Sequence, residues 1–538
     1  MESIISILEK YVTGFPSEFP WFVALLLGTG ILVTVKLGFI QIRHFWHAID
    51  IIRGKYDNPE DEGDVSHFQA LTVALSATVG VGNIAGVALA IHWGGPGALF
   101  WMWVTAVFGM ALKYTECSLA MKYRTFDANG NASGGPMFYI EKGLGMKWAG
   151  IFFAICAVIC SFGSGNMNQS NTISSLFLAR GYNIEHVVGI VLAVIVGVVI
   201  IGGIKRIASV TEKLAPLMAI IYFIGAILII LLNITNLPLV LKDIFTCAFN
   251  PASAIGGTAA GAFSMTMLMG IKRGLFSNEA GQGSAAIAHA SAKTKEPVRE
   301  GLVAMVGPFI DTLVICSLTG FAILSTGANH TKYLQTFKAS DVIFCEKVVN
   351  GIPKDLNGKV TIQLGKPQAA RVVAHHATID EVKILTGQAF FTGALTIKDG
   401  RIENPAANMK VQGKALLLGA PLTGMAFKQG LSKIFSWGNL IVELSVLLFA
   451  LSTMISWSYY GDRSFQYMFG VKYVIIYKLV YCFMIYLGSV IALDLVWRLG
   501  DLALAFMAIP NLISLIFLNS QVCEDMKEYF SREQKPYW

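Results

Sequence analysis

Apolar runs of bilayer-spanning length recur along nearly the whole of this 538-residue chain. A transmembrane helix needs about 20 predominantly apolar residues. Eleven segments meet that requirement: 20–40, 66–91, 97–121, 148–178, 186–203, 212–233, 255–291, 301–325, 436–458, 473–493 and 499–519. Numbered in chain order, they are spans 1 to 11. Only 14% of the residues are charged, against roughly 25% in a soluble domain, and the mean hydropathy is +0.60. The expected fold is an all-α polytopic membrane protein with eleven transmembrane helices.

Lys and Arg in short loops orient such a chain. The loops after spans 1, 3, 5, 7 and 9, with the C-terminal tail and Lys213 at the edge of span 6, carry eighteen, among them Arg53, Arg124, Lys205, Lys293 and Lys527. The short loops of the opposite side and the N-terminus carry four: Lys10, Arg180, Lys242 and Arg498. The bias predicts an N-terminus outside and a C-terminus in the cytoplasm, in a multi-pass protein of the cytoplasmic (inner) membrane. It also accounts for the net charge of +7 without nucleic acid as a partner. The first twenty residues hold Glu2, Glu9, Lys10 and Glu18 but no basic region leading into a short apolar core, so no cleavable signal peptide is expected. The eight Cys are scattered, mostly in apolar spans, and make neither a disulfide framework nor a metal-ligand spacing.

One stretch breaks the membrane pattern. From 328 to 430 short alternating runs such as Lys359-Val-Thr-Ile-Gln-Leu and Ala394-Leu-Thr-Ile-Lys are punctuated by Asn350-Gly351, Asn357-Gly358 and Asp399-Gly400, which are hairpin signals. The organisation is therefore spans 1–8 over 1–327, a small β-rich extracytoplasmic insertion over 328–430, and spans 9–11 with a cytoplasmic tail over 431–538. His375 and His376 in the insertion read as solvated strand residues, since no further His or Cys cluster stands beside them to complete a metal site.

Span 2 is interrupted by Leu75-Ser-Ala-Thr-Val-Gly-Val-Gly-Asn-Ile-Ala-Gly86. Irregular backbone at membrane depth is tolerated only where protein or a water-filled cavity satisfies it. A break there leaves N–H groups at the start of the second half-helix, suited to a carboxylate, and C=O groups at the end of the first, suited to Na⁺. Gly80 and Gly82 permit the break, Thr78 offers a hydroxyl and Asn83 an amide oxygen. Close helix packing with an interhelical Asn83 bond is the structural alternative. Span 7 repeats the theme with Gly281-Gln-Gly283-Ser284. Two Gly-interrupted spans in corresponding halves point to a transporter site, and a separation of five spans inverts the second half relative to the first.

Other polar residues lie at membrane depth. Span 4 holds Ser161, Ser164, Asn166, Asn168, Gln169 and Ser170. Such groups are costly in hydrocarbon unless they meet partners or a cavity, and Gln169 can donate to a carboxylate or accept from an ammonium. Span 7 carries Lys272, Arg273 and Glu279, readable as a structural Arg–Glu brace or as substrate contacts. Asp311 in span 8 reads as a partner for those cations or as a cation site. In span 9, Ser452 and Thr453 can complete a Na⁺ shell. Trp457 lies one turn on and either caps a pocket or anchors the membrane interface. No phosphate loop, His-Glu-x-x-His or nucleophile triad is present, so an enzyme is not expected.

Together these segments resemble the alanine or glycine:cation symporter family, the sodium:alanine symporters. The resemblance rests on Ala70–Gly86, Gly134-Gly-Pro-Met-Phe-Tyr-Ile140, Gly165-Asn-Met-Asn-Gln-Ser-Asn171, Arg273-Gly-Leu-Phe-Ser-Asn-Glu-Ala-Gly-Gln-Gly283 and Ile455-Ser-Trp-Ser-Tyr-Tyr-Gly461. It implies one extra helix before a five-plus-five inverted repeat like that of the bacterial leucine transporter. It further implies that Val81 and Gly82 N–H groups meet a substrate carboxylate, and that Thr78 and Asn83 line the substrate and ion region. The Val79 carbonyl with Ser452 and Thr453 would hold Na⁺, and Gln169, Gly270, Ile271 and Trp457 would wall a pocket for alanine or glycine. Either Gly270 or the Gly281–Gly283 pair marks the break in span 7. The insertion departs from the usual family length, and nothing about it carries over.

The expected function is Na⁺-coupled import of alanine or glycine by alternating access, with the lipid bilayer as surroundings and no cofactor beyond the coupling ion. H⁺ coupling or a broader range of small neutral amino acids is the nearest alternative. A channel, and a sensor binding through the outer insertion, are the rivals from other classes.

Overall fold

The computed structural model describes residues 11–12, 20–179, 182–250, 259–349, 352–368, 370–374, 377–406, 408–491, 493–534 and 536. Glu2, Glu9, Lys10, Glu18, Arg180, His375, His376, Lys535 and the Asn350-Gly351 turn lie outside them.

Among the described residues, seven helices are long and apolar enough to cross a membrane: Ala98–Lys122, Lys147–Leu178, Gly203–Leu232, Pro297–Thr326, Asn439–Phe469, Val471–Val490 and Leu502–Ser531. An eighth candidate is the pair His67–Thr78 and Gly82–Gly94, bent by 52° at its break. Spans 1, 5 and 7 contain the helices Trp21–Lys36, Glu185–Ile200 and Ala259–Asn278. The chain is a mainly helical, polytopic membrane protein.

The lipid-facing surface follows from helical periodicity. On Glu185–Ile200 the residues Val187, Ile190, Val191, Val194 and Val198 are exposed, and their i, i+3, i+4, i+7 spacing makes one continuous apolar stripe. A stripe of that kind on a water-facing surface would be an aggregation site; against lipid it is at home. Span 8 has 72% of its apolar window buried and span 10 only 28%, so span 8 belongs to the interior and span 10 to the rim.

Among the described residues, three spans carry wide turns of π-helix, at Gly82–Gly86, Gly163–Met167 and Phe309–Cys316. The last follows Pro308, whose ring removes a backbone donor and disturbs the ladder. Such turns free backbone groups and re-aim side chains. Gly82 of the first and Ser164 of the second line one cavity, and Asp311 of the third bonds Asn83 of the first.

The insertion forms three four-stranded antiparallel sheets from strands between Lys332 and Leu416. Met409–Leu416 alternates buried and less buried residues, the period-two pattern of a half-buried strand. Asp399 and Gly400 both adopt positive φ, 49° and 73°, and turn the hairpin that pairs Lys398 with Arg401. Phe344, Ile362, Ile384, Ile397 and Val411 make a core of its own, separate from that of the helices. Its first strand residue, Lys332, pairs with its last, Leu416, so the chain enters and leaves side by side.

Candidate functional site

Span 2 builds the centre of the site. Its first half-helix starts at a capping box: the Gln69 N–H donates to Ser66 Oγ at 3.2 Å and the Ser66 N–H to Gln69 Oε1 at 3.1 Å. It stops at Thr78, and the second half resumes at Gly82. Both glycines are there for close approach. A Cβ on Gly80 would lie 2.8 Å from Thr453 Oγ1, and one on Gly82 would lie 3.1 Å from the Phe276 ring.

Asn83 locks this break. Its Oδ1 accepts from the Gly80 N–H at 2.9 Å, and its Nδ2 donates to Ser277 Oγ at 3.0 Å and to Asp311 Oδ1 at 2.5 Å. The pattern of donors and acceptors leaves one sensible amide orientation. Asp311 completes the clasp, its Oδ2 accepting from Ser277 Oγ at 2.6 Å and Thr312 Oγ1 at 2.7 Å. Asp311 is thus joined to the broken span 2 through Asn83. The expectation that it pairs with the cations of span 7 is corrected: its hydrogen-bond partners are neutral side chains.

The carbonyls at the end of the first half-helix turn toward span 9. Thr453 Oγ1 donates to the Ser76 carbonyl at 3.1 Å and lies 3.3 Å from that of Ala77. Ser452 Oγ reaches the same Ser76 carbonyl at 3.2 Å and the Phe449 carbonyl at 2.9 Å. Both hydroxyls are buried. Two hydroxyls and several carbonyls within one small volume are oxygen donors of the kind a hard cation takes.

Beside them lies a tight cavity, about the size of one water in this arrangement. Of the residues singled out from sequence, Thr78, Gly82, Gln169, Thr453 and Trp457 line it. Val79, Val81, Asn83, Ile271 and Ser452 are buried next to span 2 or behind the wall without lining it. Gly270 sits inside the continuous helix Ala259–Asn278, where an added Cβ would lie 2.5 Å from the Trp101 Cβ. Its role is close packing on span 3.

Span 7 breaks instead at Glu279–Gly283, where Glu279, Gly281 and Gly283 all have positive φ, 54°, 85° and 78°. Neighbouring spans support this break. Glu116 Oε1 accepts from the Gly283 N–H at 3.2 Å and from Asn511 Nδ2 at 2.6 Å, and Asn511 Nδ2 also donates to the Gly281 carbonyl at 2.9 Å. Glu279 does not brace Arg273. It accepts from Trp457 Nε1 at 3.0 Å and Ser284 Oγ at 2.6 Å. The Arg273 guanidinium stands 5.9 Å from the ring centroids of Trp93 and Phe276.

Ser164, Phe276, Glu279 and Leu504 also line the cavity. Phe276 and Leu504 are ordinary apolar residues with no sequence signal of a site, and the backbone carbonyls of Ser76 and Phe449 are invisible to side-chain reasoning. Trp457 is fully interior, 2% exposed, which excludes an interfacial anchor. No group of three or more His, Cys, Asp or Glu suited to a metal exists among the described residues.

The profile of the sodium:alanine symporter family matches residues 1–351 and 402–537. The chain belongs to that family. Among curated relatives, an uncharacterized transporter of Haemophilus influenzae is 38% identical, covering 99% of this chain and 97% of that protein. The protein described as sodium/alanine symporter AgcS of Methanococcus maripaludis is 36% identical over 98% of this chain and 97% of its own. The putative sodium/proton-dependent alanine carrier protein YrbD of Bacillus subtilis is 35% identical, over 95% and 90%. Membership in a family of cation-coupled amino-acid symporters sets this chain among transporters. Residues 352–401, within the insertion, fall outside the family match.

Proposed function

We propose that this chain imports alanine or glycine across the cytoplasmic membrane by Na⁺-coupled alternating access, with its N-terminus outside and all eleven spans crossing. The observation that carries the reading is the meeting of the Ser452 and Thr453 hydroxyls with the carbonyls at the end of the first half of span 2, directly beside the cavity. Na⁺ takes the two hydroxyls with the carbonyls of Ser76, Val79 and Phe449. The substrate carboxylate takes the N–H groups of Val81 and Gly82, the first of a half-helix and so without intrahelical partners. Thr78, Gln169 and Trp457 wall the substrate, Gly270 and Ile271 support that wall from behind, and Asn83 holds the break between the two ligands. The paired breaks in spans 2 and 7 support an inverted five-plus-five repeat with span 1 outside it.

Coupling then has a physical cause. The ion neutralises carbonyl ends on one side of the break and the carboxylate neutralises N–H ends on the other, so both stabilise the same closed arrangement. By linkage each raises the other's affinity by an equal factor. Binding of glycine, alanine and larger neutral amino acids to the purified protein, with and without Na⁺, tests this. Alanine or glycine affinity is expected to rise at least 10-fold with Na⁺, in the ordinary coupling range. Equal affinity in Na⁺ and in choline at constant pH, with a rise on acidification, would favour proton coupling, the reading suggested by the name of the Bacillus subtilis carrier.

A further inference from the structure

Glu279 lines the cavity, is 4% exposed and forms no ion pair among the described residues. A buried carboxylate without a cation is costly. The backbone at Glu279 is also unusual. Its φ of 54° is a region L side chains rarely adopt, and the neighbouring turn positions with positive φ, 281 and 283, are glycine. A carboxylate held where glycine would be easier is a group whose side chain is used.

A second polar side chain lines the same cavity. Gln169 is 4% exposed, its Nε2 donates to the Ser164 carbonyl at 3.1 Å, and its Oε1 has no partner. Of the two ways this amide can meet a ligand, its donor end is taken and its acceptor end is open. The cavity is thus lined by Gly82 of span 2 and by two acceptors from spans 4 and 7, the unpartnered Gln169 Oε1 and the Glu279 carboxylate.

We infer that Glu279, with Gln169 Oε1, receives the ammonium group of the transported amino acid. This deepens the symport reading and rests on it: the site selects ligands carrying both a carboxylate and a primary ammonium. Glu279 keeps its bonds from Trp457 and Ser284 while each oxygen has a lone pair left for the ligand.

Binding to the full-length protein in Na⁺ tests the inference, with L-alanine, L-lactate and propionate as probes and the Na⁺-induced rise in melting temperature as the fold control. Wild-type protein is expected to bind alanine and to bind lactate and propionate at least 10-fold more weakly. Glu279→Gln is expected to weaken alanine about 10- to 100-fold, as loss of a charge-assisted bond does, to leave propionate unchanged or tighter, and to keep the Na⁺ shift. Glu279→Asp should recover part of the alanine affinity. Alanine binding by Glu279→Gln equal to wild type, or loss of the Na⁺ shift along with alanine, overturns the assignment. So does wild-type lactate affinity equal to that for alanine, a result that needs no variant to fold. Failure of wild-type protein to bind any small amino acid contradicts the symport reading itself.

Discussion

Thr453 Oγ1 donates to the carbonyl of Ser76 across 3.1 Å, tying an unbroken helix to the last turn before a broken one. That carbonyl is no longer fully used by its own helix, and Ser452 reaches it as well. Here the hydroxyls satisfy the carbonyls; in the proposed ion site Na⁺ would take both as ligands, with the hydroxyl protons turned away.

Thr453→Val keeps the shape of the side chain and removes the hydroxyl. The Na⁺ concentration for half-maximal alanine uptake is expected to rise about 10-fold, the worth of one ligand bond of about 1.5 kcal/mol. Transport assays across a Na⁺ series check this, and an unchanged Na⁺ dependence would remove Thr453 from the ion site.

Gly165 faces the Trp457 ring, and an added Cβ would overlap the indole. Gly165→Ala must displace Trp457 or span 4, at about 1–3 kcal/mol for overpacking. Uptake is expected to fall at least 10-fold. Gly28→Ala is the control: its Cβ meets nothing within 4 Å, and alanine favours the helix by up to about 1 kcal/mol. Parallel uptake and thermal unfolding separate the two variants.

Asp311→Ala removes the acceptor for Asn83, Ser277 and Thr312 together. Each buried donor left without a partner costs about 1–3 kcal/mol. Melting is expected to drop by several degrees, and Asp311→Asn to lie between the variant and wild type. Wild-type melting in Asp311→Ala would mean that the clasp does not hold the break.

Excision of residues 333–415 should leave uptake intact, because Lys332 and Leu416 are adjacent strand partners, about 5 Å apart in such a ladder, and the insertion has its own core. A short Gly-Ser bridge can join them. Loss of binding in a correctly inserted protein would give the insertion a direct role in substrate capture, as a sensor would need.

The membrane helices were legible because about 20 apolar residues in a row have few other uses, and the strands of the insertion because alternation has a period of two. The break in span 2 and the Ser452–Thr453 pair were legible because polar or glycine residues interrupt apolar runs there. Gly270 and Gly281 looked alike in sequence, since glycine serves both close helix packing and a positive φ; only the helix running unbroken through Gly270 separates the two uses. The Asn83–Ser277–Asp311 clasp joins residues about 200 positions apart, a pairing no local pattern encodes. Phe276 and Leu504 wall the cavity as ordinary apolar side chains do anywhere, and only their placement marks them.

Labelled alanine uptake into proteoliposomes under an imposed inward Na⁺ gradient tests the central claim most directly. Alanine is expected to accumulate inside above its external concentration and to drain when an ionophore collapses the gradient, which a channel cannot produce. Uptake that merely equilibrates, or that is indifferent to the Na⁺ gradient, would contradict it.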